Sequence, residues 1–69
     1  MVSYKPLFKL LIDRDLSKAD LRRLADISPN TMTKLRRGEE VSMTILNKIC
    51  SALQVSYGDI IEYIHPEKE

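Results

Sequence analysis

The stretch LSKADLRRLADISPNTMTKLRRG, from Leu16 to Gly38, decides how this chain folds. Ser17 stands three residues before Asp20, the spacing at which a serine hydroxyl caps a helix N-terminus and an acidic side chain reaches back to the serine N–H. Leu16 and Leu21 occupy the two positions of a hydrophobic staple across that cap. The spacing predicts a short helix from Lys18 to about Ala25. Ser28 repeats the arrangement: Pro29 takes the first helical position, where its missing N–H does no harm, and Ile27 with Met32 forms a second staple. This next helix runs to about Arg37, and Gly38 supplies the left-handed residue that ends it. So short a link around Asp26 and Ile27 leaves no chain for an antiparallel return, so the two helices meet at a sharp angle as a helix-turn-helix.

Reading outward, about Tyr4 to Arg14 is expected to form a helix with Pro6 tolerated in its first turn, and Leu7, Phe8, Leu10, Leu11 and Ile12 give it a wide buried face. Beyond Gly38, Ser42 caps a fourth helix with Ile45, Leu46, Ile49, Cys50 and Leu53 on one side. Ser56 with Asp59 then caps a short fifth helix carrying Ile60, Ile61 and Ile64. No stretch alternates with period two for long enough to predict a strand, so the expected class is all-α, a compact five-helix bundle. Residues 1–64 are read as one domain and residues 65–69 as a short flexible tail.

Composition narrows the function classes. Sixty-nine residues make one small domain, too small for a large enclosed active site. The longest apolar run, Leu10-Leu11-Ile12, is far shorter than a membrane helix requires, nothing resembles a secretory segment, and a cytoplasmic location is expected. With one cysteine, Cys50, and one histidine, His65, the sequence offers no intramolecular disulfide and no metal-ligand set. Net charge is +1, but the average hides a division: Met1 to Gly38 sums to +5 and Glu39 to Glu69 to −4. The N-terminal part has the character of a polyanion binder and the C-terminal part does not.

The helix from Pro29 to Arg37 carries the informative side chains. Met32 and Leu35 are its apolar anchors, while Asn30, Thr33, Lys34 and Arg37 lie at i, i+3, i+4, i+7 on the other side. Such a stripe can be an ordinary solvated face. This one holds no acid, and its residue types match nucleic acid: asparagine pairs bidentately with adenine, and lysine donates to guanine or to phosphate oxygen. Ser28 and Lys18 sit at helix N-termini, where free backbone N–H groups and the helix dipole attract phosphate.

The run from Leu16 to Glu39, followed by Val41, Ser42, Leu46, Lys48, Ile49, Cys50, Ala52, Leu53, and Asp59 to Tyr63, resembles the Cro and phage-repressor type of helix-turn-helix regulators, in particular their small single-domain bacterial subgroup. The resemblance spans about Tyr4 to Tyr63. It implies a five-helix bundle whose third helix enters the major groove of double-stranded DNA. Carried over by position, Pro29, Asn30, Thr33 and Lys34 fall at base edges. Ser17, Lys18 and Arg37 fall at the phosphate backbone; Ser28, at its helix N-terminus, and Arg22 join them as phosphate candidates from the residues themselves. Three positions depart from the family pattern. Asp26 stands where many relatives have a turn glycine, and aspartate tolerates a left-handed backbone. Pro29 can contribute at most an apolar contact. Arg36 stands where many relatives carry a glutamate paired with an arginine on the first helix; with Leu11 at the facing position that pair is absent, which frees Arg36 for solvent or phosphate.

Other residues weigh less. Lys18, Arg22 and Arg23 are either backbone contacts or a solvated face. Cys50 lies on an apolar stripe and reads as packing, and His65 as a surface residue. Tyr57, Tyr63 and Ile64 either close the core or form a homodimer seam. Glu39 and Glu40 are awkward beside phosphate. An enzyme fails on the inventory, with no nucleophile-base set, phosphate-cradling loop or pocketed carboxylate pair. No cofactor and no small-molecule ligand are expected. The remaining rival is an antitoxin-like or anti-repressor module whose acidic C-terminal half binds another protein.

Overall fold

The computed structural model describes residues 1–67. Strand β1 (Val2–Ser3) leads into α1 (Lys5–Asp13), α2 (Lys18–Ala25), α3 (Pro29–Arg37) and α4 (Met43–Leu53), followed by a 3₁₀ turn (Tyr57–Asp59) and strand β2 (Glu62–Tyr63). Lys68 and Glu69, the end of the expected tail, lie outside the described residues.

The serine caps position the helices. Ser17 Oγ accepts from the Asp20 N–H at 3.0 Å while the Asp20 carboxylate accepts from the Ser17 N–H at 2.9 Å, so both halves of the box close. Ser28 Oγ accepts from Thr31 N–H at 3.1 Å and Ser42 Oγ from Ile45 N–H at 3.3 Å. The C-termini are equally uniform. Each of the four helices is followed within two residues by a left-handed one: Asp15, Asp26, Gly38 and Gln54, with φ of 60°, 56°, 75° and 57°. The N–H after each of these residues returns to a carbonyl five positions back: Leu16 to Leu11, Ile27 to Arg22, Glu39 to Lys34 and Val55 to Cys50. These returns satisfy carbonyls that the helix itself leaves without partners.

One core joins the elements, with Leu7, Leu21, Leu35, Ile49 and Ile60 fully enclosed and Leu11, Met32, Leu46 and Leu53 beside them. Both staple residues of α3, Ile27 and Met32, are buried, and Leu16 packs against the cluster beneath α2. Each enclosed leucine or isoleucine contributes about 1.5–3 kcal/mol relative to exposure, which a chain without disulfides depends on. Helix α2 packs on α4, and the short α2–α3 pair rests on that support.

Three expectations are corrected. Among the described residues there are four α-helices, not five, and the fold is not purely helical. The segment expected to be a fifth helix makes only the 3₁₀ turn and then pairs antiparallel with the N-terminus, Val2 opposite Tyr63 and Ser3 opposite Glu62. The Ile64 N–H extends this pairing to the Met1 carbonyl at 2.8 Å. Ile60, Ile61 and Ile64 are β-branched and Pro66 disfavours helix at His65, so the few residues left after Asp59 cannot repay helix nucleation. Strand pairing instead satisfies the backbone of both chain ends. The first helix has the expected extent, with Tyr4 and Arg14 as its caps. Its buried face is narrower than expected. Leu7 and Leu11 are buried and Phe8 and Leu10 half-buried, but Ile12 is 77% exposed because it lies a further 100° round the helix from Leu11.

Candidate nucleic-acid interface

The turn between α2 and α3 is built by Asp26. Its left-handed backbone, φ 56° and ψ 54°, redirects the chain where a glycine would ordinarily stand. Its carbonyl accepts from Lys48 Nζ at 3.2 Å, which ties the turn to α4. Helix α3 then begins at Pro29 and buries Met32 and Leu35, leaving the opposite side to solvent.

On that side the predicted base-edge residues fall together. Pro29, Asn30 and Lys34 are exposed and Thr33 is half-buried. The Thr33 hydroxyl donates to the Pro29 carbonyl at 3.1 Å, so its donor is committed to its own helix. Its methyl group and its free lone pair remain available to a base edge. Asn30 and Lys34 have no hydrogen-bonding or ionic side-chain partner among the described residues, which leaves both heads unspent.

The predicted phosphate contacts lie on α2 and at the two ends of α3. Ser17 and Lys18 mark the start of α2, and Lys18 Nζ stands 5.3 Å from the centroid of the Phe8 ring on α1, a cation–π placement that steadies a flexible side chain. The Ser28 hydroxyl is doubly used, accepting from Thr31 N–H and donating to Thr31 Oγ1 at 3.0 Å. Any role of Ser28 at phosphate therefore falls to backbone and helix dipole rather than to its hydroxyl. Arg37 lies 3.7 Å from the Glu39 carboxylate, both groups well exposed, so the glutamate partly offsets its charge. Arg23 is paired with Asp20 at 2.9 Å, which separates it from Arg22 one residue earlier.

A feature absent from the predicted contacts is the cleft between α2 and α3. It measures about 280 Å³ and is lined by Lys18, Arg22, Met32, Thr33 and Arg36 among others. Arg36 thus stands beside two of the expected phosphate contacts. The signal lay in the sequence: Pro29, Thr33 and Arg36 share the i, i+4, i+7 line flanking the stripe read from Asn30.

The predicted dimer-seam residues Tyr57, Tyr63 and Ile64 lie on the 3₁₀ turn and at strand β2, which pairs with β1. Tyr57 and Tyr63 are exposed, Ile64 is half-buried, and the Tyr57 hydroxyl bonds to Asn47 Oδ1. Tyr63 meets His65 edge-on at 4.6 Å. Cys50 is half-buried on α4, and burial pushes its thiol above the ordinary value, with Asp59 adding to the effect. No described helix is long and apolar enough to cross a membrane.

No curated protein matches the sequence. Among solved structures it is similar to the crystal structure of the transcriptional regulator VanUg, form II, at 51% identity over 88% of this chain and 81% of that one, with a TM-score of 0.86. The model of the Cro/C1-type HTH DNA-binding domain matches residues 7–66. With residues 7–66 matched and the α2–α3 pair in place, the chain belongs to the Cro/C1-type helix-turn-helix DNA-binding family.

Proposed function

We propose that this chain is a sequence-specific double-stranded DNA-binding transcriptional regulator that places α3, from Pro29 to Arg37, in the major groove. The observation that carries the reading is the unspent face of α3: Asn30 and Lys34 project beside Thr33 without partners among the described residues, with no acid on that stripe. Asn30 reads adenine, Lys34 guanine, and Pro29 and Thr33 offer apolar contact to a thymine methyl. Lys18, Arg22, Arg37 and the N-terminal backbone at Ser17 and Ser28 set register on phosphates. Residues 1–64 act as the binding unit and residues 65–69 as a tail. Similarity to a transcriptional regulator at 51% identity supports the regulatory role.

One domain of this size reads roughly 4–5 base pairs, too few for a unique address, so the working species is a homodimer on a palindrome. Tyr57, Tyr63 and Ile64, two of them exposed, supply its seam. The test is selection of bound sequences from a random duplex pool, with sedimentation of the free protein. Enrichment of a two-fold symmetric site and a concentration-dependent dimer is the expected outcome. A pool that stays random sinks the proposal and favours a protein-binding role for the acidic C-terminal half.

A further inference from the structure

We propose that Arg36, with Lys18 and Arg22, seats one phosphate of the DNA backbone in the cleft between α2 and α3. The inference rests on the DNA-binding reading and goes beyond it by adding Arg36 and by naming what three cations hold together. Two neighbouring arginines are already partnered, Arg23 by Asp20 and Arg37 by Glu39. The cations of α2 and α3 left without an acidic partner among the described residues are Lys18, Arg22, Lys34 and Arg36. Three of those four line this single cleft, and no carboxylate of the described residues lines it. Asp20, the one acid on α2, is turned to the Ser17 N–H and to Arg23 through its two oxygens.

Three like charges gathered from two helices repel one another, and an anion between them reverses the sign of that interaction. The floor is apolar, from Ala19 and Met32, so the recognition is of charge and of a compact oxyanion rather than of a hydrogen-bonding base edge. Arg36 suits the task because a guanidinium fork binds phosphate through two parallel N–H bonds. Position identifies the source of the anion. Thr33, a proposed base reader, lines the same cleft. An anion seated there is next to the bases being read, which is where a backbone phosphate of the same duplex lies.

The experiment uses the duplex enriched by selection and the full chain, with variants Arg36→Gln, Arg36→Lys and, as a control on a paired cation, Arg23→Gln. R36Q should flatten the dependence of log K on log salt by about 0.9, so its deficit at 50 mM salt is about three-fold larger than at 200 mM. R36K should keep that slope, and base preference should not change. Duplexes with one methylphosphonate, which removes the charge of a single phosphate, locate the contact. At one backbone position the neutral linkage should weaken the wild type more than R36Q, which keeps only Lys18 and Arg22 at that phosphate. The proposal fails if R36Q keeps the wild-type slope, if it alters which base is preferred, or if methylphosphonate losses add to the R36Q loss at every position. Those results leave the DNA-binding reading standing wherever the wild type still selects a site. Failure of the wild type to select any site overturns both. Circular dichroism of each variant confirms that the exposed substitution leaves the fold intact.

Discussion

The hydroxyl of Tyr4 donates to the carbonyl of Glu39 across 2.8 Å, joining the residue before α1 to the loop that leaves α3. Tyr4 is 3% exposed, so this bond holds the C-terminal end of α3 against the start of the chain from inside the core. Burial pushes the Tyr4 phenol above its ordinary value, the charge of Glu40 adds to this, and a backbone hydrogen bond from Val41 opposes it. Tyr4→Phe deletes the hydroxyl without changing the ring and should cost about 1 kcal/mol in urea unfolding at neutral pH. The folded state favours the neutral phenol. Its contribution is therefore complete below the ordinary tyrosine value of about 10 and is lost as pH rises through the raised folded value. The wild-type chain should lose stability in that alkaline window and Y4F should lose less; parallel curves would show that Tyr4 is not the group responsible.

Three of the four helices are followed by a left-handed residue other than glycine, which makes the C-termini a reservoir of removable strain. Gln54, at φ 57°, is exposed and its side chain makes no hydrogen bond among the described residues. Gln54→Gly should raise stability by about 0.5–1 kcal/mol, the left-handed penalty removed less the entropy that glycine loses. Gly38→Ala should do the reverse. A Cβ at Gly38 meets nothing closer than the Val2 carbonyl at 3.8 Å, so space is adequate and the cost, about 1 kcal/mol, is that of the backbone at φ 75°. Thermal midpoints should separate these variants by several degrees in opposite directions. Equal midpoints would mean that the ends of α3 and α4 relax without strain.

The cap of α2 responds to acid. The Asp20 carboxyl is held below the ordinary carboxylate value by the Ser17 N–H, by Arg23 and by the Ser17 hydroxyl, in that order. A depressed folded value means that the ionised group contributes stability above the unfolded value, and that this is lost as pH falls through the folded one. Asp20→Asn should therefore be less stable than wild type at neutral pH, with the two converging in acid. Ser17→Ala, which removes the other half of the box, should cost about 1 kcal/mol. A difference between Asp20→Asn and wild type that persists unchanged below pH 3 would contradict the charged form of the cap.

The helix-turn-helix was legible because its determinants are local. Ser17 with Asp20, Ser28 with Pro29, and Gly38 act within a few residues of themselves, and each stands where the sequence places it. The chain ends were not legible, for the opposite reason. Val2 and Tyr63 are far apart in sequence, each contributes to a strand of only two residues, and pairing so short leaves no periodicity to read. Tyr4 escaped for a similar cause: its partner, the Glu39 carbonyl, is supplied by backbone, which composition does not reveal. At the interface, a single helix wheel gave Asn30, Thr33 and Lys34. It left Arg36 between solvent and phosphate, because the cleft exists only once α2 is set against α3.

The two halves of the proposed interface should separate by salt. Asn30 is exposed and carries no charge, so Asn30→Ala should remove base readout alone, at about 1–3 kcal/mol, and relax one position of the selected site. Its salt slope should match wild type because no counterion is released by an amide. Lys18, placed over Phe8 at the start of α2, should behave in the contrary way. Lys18→Ala should weaken cognate and random duplexes alike and lower the slope by about 0.9, with no position of the site relaxed. Binding isotherms of both variants on cognate and scrambled duplexes, taken across a salt series, give slope and specificity from the same data. If Asn30→Ala changed the slope, or Lys18→Ala the preferred sequence, the division between a reading α3 and an anchoring α2 would be wrong. If neither variant differed from wild type, DNA would meet another face of the molecule.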